Sequence, residues 1–278
     1  MKSETIKNFR KTVWQHHKKN RRDFPWRETR DPYHILVSEI MLQQTGVVRV
    51  MYKYKEFLDR FPTIEKLAKA NLRDVLHLWQ GLGYNRRAKF LYECAKEISE
   101  KHEGKFPKDL NSLKRLPGIG QSTAGAVLNF AFNIPTPFIE TNIRTVFIHH
   151  FFKNFKTKVT EKEMLELINK TIDSDKPREW FYALYDYGSF LKSTLDTDPA
   201  KRSKIYKKQS TFEGSFREKR SFVLKLLLNN KLRETDVMKH LLDKKLVGKQ
   251  NPKEATKQIL SSLLKDKLIL KDKGLYFV

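Results

Sequence analysis

The sequence predicts a mainly α-helical protein that ends in a small α+β unit, and three observations carry that prediction. Apolar residues recur at helical spacing, first from Pro32 to Phe61 and then through successive segments to Leu264. Capping residues and glycines punctuate this pattern at the places where helices start and stop. The last dozen residues change character and read as a hairpin, with Lys271-Asp272-Lys273-Gly274 between two short apolar runs.

In chain order, Thr45-Gly46 splits the first periodic stretch into two helices. Thr63 opens Ile64-Glu65-Lys66-Leu67-Ala68 at cap spacing, without a capping-box acid. Asn71 does the same for Leu72-Arg73-Asp74-Val75-Leu76. Gly81-Leu82-Gly83 stops that helix, and another runs from Arg86 to Lys101. Pro107 and Asp109 lead into a short helix that ends at Leu116-Pro117-Gly118. Gln121 to Phe132 is helical again, and Ala124, Gly125, Ala126 and Ala131 allow close packing. Residues 193–214 are polar without a period and read as a surface connection. Beyond them, helices are expected at 216–228 and 234–242 around Asn229-Asn230-Lys231, and at 252–264, before a hairpin of 267–270 with 275–278. Three helices followed by a hairpin outline a winged-helix-like domain at 213–278.

A chain of 278 residues holds one large domain or two to three smaller ones. Fifty-six Lys and Arg against 32 Asp and Glu give a formal net charge of +24. An excess of that size points to polyanions, nucleic acid first, with an acidic membrane surface or plain solubility as alternatives. No apolar run reaches the 18 residues of a membrane span. The start, Met1-Lys2-Ser3-Glu4-Thr5, lacks the apolar core of a secretory signal, so an intracellular location is expected. Cys94 is the only cysteine, which excludes an intramolecular disulfide framework and any all-cysteine zinc or iron–sulfur site in these residues. His16-His17 and His149-His150 are adjacent rather than four apart and do not share a metal-binding face, so no metal is expected.

Two motifs carry chemistry. In Leu116-Pro117-Gly118-Ile119-Gly120-Gln121-Ser122, two glycines just before a helix permit a tight turn and expose consecutive N–H groups. Those groups and the helix N-terminus suit a phosphate oxygen; a plain helix–turn–helix corner is the bland alternative. In Val37-Ser38-Glu39-Ile40-Met41-Leu42-Gln43-Gln44-Thr45, a glutamate sits inside an apolar run. Burial raises a carboxylic acid's pKa and suits it to donate a proton near neutral pH; a glutamate on a solvated face is the ordinary alternative.

These motifs, with Phe24-Pro25-Trp26-Arg27, Asp31-Pro32-Tyr33 and Leu76-His77-Leu78-Trp79-Gln80-Gly81-Leu82-Gly83-Tyr84, make residues from about 23 to 152 resemble the adenine DNA glycosylase family MutY, within the endonuclease III superfamily. Weaker similarity continues through Tyr185-Asp186-Tyr187-Gly188. The resemblance implies a helix-hairpin-helix glycosylase domain over 1–212: a six-helix barrel at about 26–134 and a second helical subdomain from 1–25 plus 135–212, with the active site in the cleft between them. It implies Glu39 as the acid that protonates adenine and helps activate water. Gln43, Gln44 and Thr45 are expected on DNA, the last two beside the opposite base. Leu82 and Tyr84, around Gly83, are expected to wedge into the stack and offset unstacking. Trp26, Arg27, Ser122 and Asp186 are expected to form the base pocket. Leu116, Gly118, Gly120, Gln121 and Ser122 are expected to hold the backbone. Ser122 stands where bifunctional relatives carry a lysine that attacks the sugar, so the resemblance implies base removal by water without strand cleavage.

The chain also departs from the family pattern. Where an aspartate steadies the cationic sugar, Phe138-Ile139-Glu140-Thr141-Asn142 offers Glu140, longer by one methylene or roughly 1.5 Å. Compensation by the local backbone is expected, with Asn142 retained, so Glu39, Glu140 and Asn142 form the expected catalytic set. Ser189-Phe190-Leu191-Lys192 and the residues C-terminal to it lack the family's cysteines, so the iron–sulfur cluster is expected to be absent and no cofactor required; a monovalent cation at the hairpin carbonyls is implied by the resemblance. Lys201, Arg202, Lys204, Lys207 and Lys208 either contact phosphates in its place or form a solvated charge run. The C-terminal domain does not resemble the family's 8-oxoguanine reader; residues 251–264 are its most plausible groove helix, with phosphate gripping or protein binding as alternatives.

The expectation is therefore a monofunctional glycosylase of base excision repair, removing adenine mispaired with guanine or 8-oxoguanine from double-stranded DNA. It is expected to act as a monomer without membrane contact and, if the source is prokaryotic, in the cytoplasm in association with the nucleoid. A thymine or uracil mismatch glycosylase of the same fold, or a non-catalytic DNA-binding protein with a degenerate glycosylase domain, are the alternatives.

Overall fold

The computed structural model describes residues 3–152, 157–248 and 250–278, so Met1 and Lys2 of the predicted leaderless start lie outside the described residues. Fourteen α-helices are described: α1 Ser3–Asn20, α2 Pro32–Leu42, α3 Val47–Arg60, α4 Ile64–Ala68, α5 Leu72–Leu78, α6 Arg86–Lys101, α7 Leu110–Arg115, α8 Gln121–Phe132, α9 Thr141–Phe151, α10 Glu161–Thr171, α11 Pro177–Thr194, α12 Phe216–Asn229, α13 Glu234–Asp243 and α14 Pro252–Lys265. Local chemistry sets many of the ends. Thr63 accepts from the Lys66 N–H and Asn71 from the Arg73 N–H, each satisfying an orphan donor of the first turn. Thr160 and Glu163 close a reciprocal capping box on α10.

The chain packs as two units. The first joins residues 1–39 with 106–208, and the second joins 40–105 with 209–278. This division departs from the one expected at residue 212 and at 26–134, because the C-terminal segment packs on its own unit's helices. Arg73 at the start of α5 donates to the Leu228 carbonyl at the end of α12 at 2.8 Å.

In the first unit α11 is central, packing on α9, α1 and α8 around buried Trp180, Phe181, Phe138, Phe130 and Phe147. Two glycines permit this closeness. A methyl on Gly125 would collide with the Phe138 ring, and one on Gly188 would collide with the Asn142 carbonyl. Arg178 is buried and donates to the Arg27 and Thr29 carbonyls at 2.7 Å each, and also to Phe130. It thereby fixes the chain entering α2.

In the second unit α4 and α5 pack against α6 over Phe57, Leu67, Leu76, Trp79 and Leu91. Helices α12, α13 and α14 carry a three-stranded antiparallel sheet of β1 (Leu232–Arg233), β2 (Leu270–Asp272) and β3 (Leu275–Phe277) in the order β1-β3-β2. This is the winged-helix-like arrangement. The hairpin is tighter than expected. Its first strand is 270–272 rather than 267–270, because Lys273 and Gly274 both take positive φ and close a two-residue turn. Leu268 and Ile269 are buried bends instead.

Candidate active site

The hairpin between α7 and α8 is built from its sequence. Gly118 has φ +74°, a backbone conformation that favours glycine, and both Gly118 and Gly120 are exposed. Gly120 caps α8 without any side-chain hydrogen bond, so the first N–H groups of α8 carry no side-chain cap. Gln121 and Ser122 open the helix half-buried, while Leu116 and Ile119 anchor the turn in the core.

Glu39 lies on α2 among buried Leu36, Val37, Ile40 and Met41, and retains only a partial solvent exposure. Desolvation by this apolar surround, followed by the negative charge of Glu140, pushes its carboxyl up to about 8. The Tyr185 hydroxyl of α11 donates to its Oε2 at a long 3.4 Å, and Arg27 adds a weaker opposing pull. Tyr185 is itself raised well above the ordinary phenol range, by burial first and then by both glutamates. Glu39, Glu140 and Tyr185 are thus within electrostatic reach of one another.

Glu140 finds its hydrogen-bond partners within its own helix. It is the N-cap of α9, and its carboxylate folds back onto its own helix. Oε2 accepts from the Asn142 N–H at 2.7 Å, and Oε1 from the Asn142 side-chain amide at 3.4 Å. Burial raises the Glu140 carboxyl, while the Asn142 bonds and the Lys192 charge oppose that rise. Lys192 of α11 donates to Asn142 Oδ1 at 2.9 Å and is pushed down by burial. The sequence places Lys192 only in the segment without cysteines, and gives no sign that it or Tyr185 belongs to the site.

Behind this pair lies a second cluster. Asp186 is almost fully buried and accepts two bonds from Arg27, at 2.8 and 2.9 Å, and one from Arg22 Nε at 2.6 Å, with His17 Nδ1 at 3.4 Å. Burial alone raises its carboxyl, but His17, Arg27 and Arg22 overrule this and hold it well below the usual range. Arg27 also stacks over Phe24 and Tyr182, and Trp26 stacks on Phe24. Arg27 and Asp186, both expected in the base pocket, pair with each other and are buried.

In the second unit, Arg87 ties two loops together. Its guanidinium donates to the Ile40, Met41 and Gln43 carbonyls, to Thr45 Oγ1 and to the Leu82 and Gly83 carbonyls, all between 2.5 and 3.1 Å. Gln43 and Gln44 are exposed on this braced turn, Gln44 with φ +55°. The glycine-flanked loop was expected to expose Leu82, and this is corrected: Leu82 is 3% exposed. Tyr84 is half-buried, with its hydroxyl accepting from Gln209 and Arg217. Lys201 and Lys204 are exposed in the first unit, around a short bridge between Val159 and Ser203.

An iron–sulfur cluster does not suit the donors present. Residues 189–208 offer hydroxyls, carboxylates and amines, and the single thiol, Cys94, is buried in α6 and pushed up to about 12 by desolvation.

Residues 37–170 match the model of the HhH-GPD superfamily base excision DNA repair proteins. An adenine DNA glycosylase from Buchnera aphidicola subsp. Baizongia pistaciae is 41% identical over 182 residues, covering 64% of this chain and 50% of the relative. An adenine DNA glycosylase from Mycobacterium tuberculosis is 45% identical over 131 residues, 47% of this chain and 43% of the relative. The chain spans about half the length of the curated relatives it matches. Among solved structures, a thermostable thymine-DNA glycosylase is 27% identical with a TM-score of 0.63, covering 70% of this chain and 91% of that one. A trapped endonuclease III–DNA covalent intermediate has a TM-score of 0.56 at 17% identity, covering 71% and 90%, and speaks for the fold alone.

Proposed function

We propose, from the match of residues 37–170 to the HhH-GPD superfamily of base excision DNA repair proteins, that this chain is a monofunctional DNA glycosylase that flips a mispaired adenine and hydrolyses its glycosidic bond. The observation that carries the proposal is the unequal pair of carboxyls. Glu39 keeps its proton to about pH 8, and Glu140 is served by Asn142 and faced by the positive charge of Lys192.

Two neighbouring carboxyls in a desolvated site do not both ionise readily, and unequal surroundings decide which holds the proton. Glu39, with one long hydrogen bond, is the acid. It donates to the leaving purine, which departs poorly as an anion, and general acid catalysis of this kind contributes about 10²–10⁴-fold. Glu140 is the carboxylate that steadies the cationic sugar as the bond breaks. Its backbone N–H bond and cap position hold it in place before the substrate arrives. Once the base has left, Glu39 is ionised and can take a proton from the attacking water. Ser122 offers no amine for a Schiff base, so an abasic site is the product. The chain does this without an iron–sulfur cluster. Exposed Gly118 and Gly120 and the opening of α8 hold a phosphate.

The partner base is guanine or 8-oxoguanine in this reading. A thymine or uracil glycosylase is the second reading, favoured by the 27% identical thymine-DNA glycosylase fold. Pyrimidines leave without protonation at a ring nitrogen equivalent to N7, so they have less need of a protonated Glu39. Single-turnover excision on A·G, A·8-oxoguanine, T·G and U·G duplexes, with wild type and Glu39→Gln, separates the two. Adenine release that depends on Glu39 supports the proposal. Release of pyrimidine alone, or no release from any duplex, overturns it.

A further inference from the structure

The chemistry above makes no use of residues 213–278, which also lie outside the matched superfamily region. Helix α14 buries Ala255, Thr256, Ile259, Leu260 and Leu263 and leaves Lys253, Lys257, Ser261 and Lys265 exposed. Residues at intervals of four share one helix face, so the three ammonium groups form a stripe about 18 Å long.

Two contrasts mark this stripe as more than a solvated face. On α6, lysines pair with carboxylates of their own helix, Lys89 with Glu93 at 2.7 Å and Lys101 with Glu97 at 3.5 Å. Among the described residues, Lys253, Lys257 and Lys265 have no carboxylate partner. Like charges one turn apart repel, so the stripe costs the helix some stability. Glu254 in the first turn of α14 and Asp272 in the hairpin are exposed beside these lysines, whereas several other acids of the module are turned to internal work. Asp266 pairs with Arg220 at 2.5 Å and Arg86 at 3.4 Å, Asp236 accepts from the Arg233 N–H, and Glu218 accepts from the Gly214 N–H. The turn of the β2–β3 hairpin adds exposed Lys271 and Lys273. Lysine is a hydrated point charge without the planar fork that reads base edges, so this surface suits phosphates rather than sequence.

We propose that α14 and the β2–β3 turn form a second surface for duplex DNA, one that grips the phosphate backbone without reading sequence. It rests on duplex DNA being the substrate, as proposed above. The test is the full chain carrying Lys253→Glu, Lys257→Glu and Lys265→Glu, with unchanged circular dichroism as the folding check. Binding is measured on a fully paired duplex of two unrelated sequences over a range of KCl. A weakening of at least about tenfold at low salt is expected, equal on both sequences, with a salt slope shallower by about three. Single-turnover excision at saturating enzyme should be unchanged. A charge-matched control reverses Lys96, Lys101 and Lys105 instead.

Affinity and slope equal to wild type overturn the proposal, and leave an acidic protein partner as the occupant to seek. A loss confined to one sequence, or an equal loss in the control, also overturns it. Failure of the glycosylase reading is separate, because it appears as absent excision in the wild type while the binding comparison still stands.

Discussion

Tyr185 and Asp186 are neighbours on α11, yet they belong to two clusters that the protein treats in opposite ways. Asp186 meets Arg22, Arg27 and His17 and is held ionised far below its ordinary range. Tyr185 looks onto Glu39 and Glu140, where burial is left under-compensated and a carboxyl keeps its proton to about pH 8. Both clusters are buried and both contain carboxyls. The guanidinium partners separate them: Asp186 is paired with two, whereas Glu39 has a single long hydrogen bond and only a weak pull from Arg27. Arg27 takes part in both, since it clamps Asp186 directly and weakly opposes the rise at Glu39.

The comparison is most sharply tested at Glu39. Glu39→Gln should lower single-turnover excision by about 10²–10⁴-fold while leaving the fold intact. The same substitution has a stability signature. Folded Glu39 holds its proton up to about pH 8, whereas the unfolded chain releases it near 4.5. The folded state therefore binds more protons in that window, and wild-type stability falls as pH rises through it. Thermal melts at pH 6 and pH 9 should show Glu39→Gln gaining on the wild type at the higher pH; an unchanged gap would contradict the buried acid. The wild-type excision rate should likewise fall above about pH 8.

Asp186→Asn should act on folding rather than chemistry. It strands two guanidiniums, one of them fully buried, and loss of one partner of a buried ion cluster costs about 3–5 kcal/mol. Denaturant unfolding measures this, and a change below about 1 kcal/mol would show that the cluster is not structural. Lys192→Met should slow excision by about tenfold, the range of one hydrogen bond from a charged donor, and Lys192→Arg should restore most of the rate. A loss that Arg does not rescue would point to packing instead. Tyr185→Phe should have the smallest effect, within about fivefold in rate, because its bond to Glu39 is long. That bond favours the ionised glutamate, so its removal should move the alkaline limb of the pH–rate profile upward. A downward move would reverse its assigned role.

What could be read from the sequence was local. The limits of α6 and α8 and the caps at Thr63 and Asn71 follow from residues within one turn of each boundary. Glu39 stood out because an acid in an apolar run needs a reason. The partners that set its proton come from 101 and 146 positions away, at Glu140 and Tyr185, and Tyr185 bears no local sign of its role. Lys192 is hidden in the same way by its distance from Asn142. Nothing local in the sequence singles out Arg87, which is buried against six acceptors. The two-residue strand β1 is defined only by its pairing with β3. Leu82 was misjudged for a related reason: flanking glycines set the shape of a loop, not the direction in which the residue between them points.

The absent side chain at residue 188 has a consequence for how this protein should fail on heating. With nothing but a hydrogen between α11 and the first turn of α9, the two helices touch backbone to backbone, and no soft filler lies there to yield first. Warming should therefore not loosen the spacing of the carboxyls by degrees. Excision should persist up to the global melt and vanish together with it.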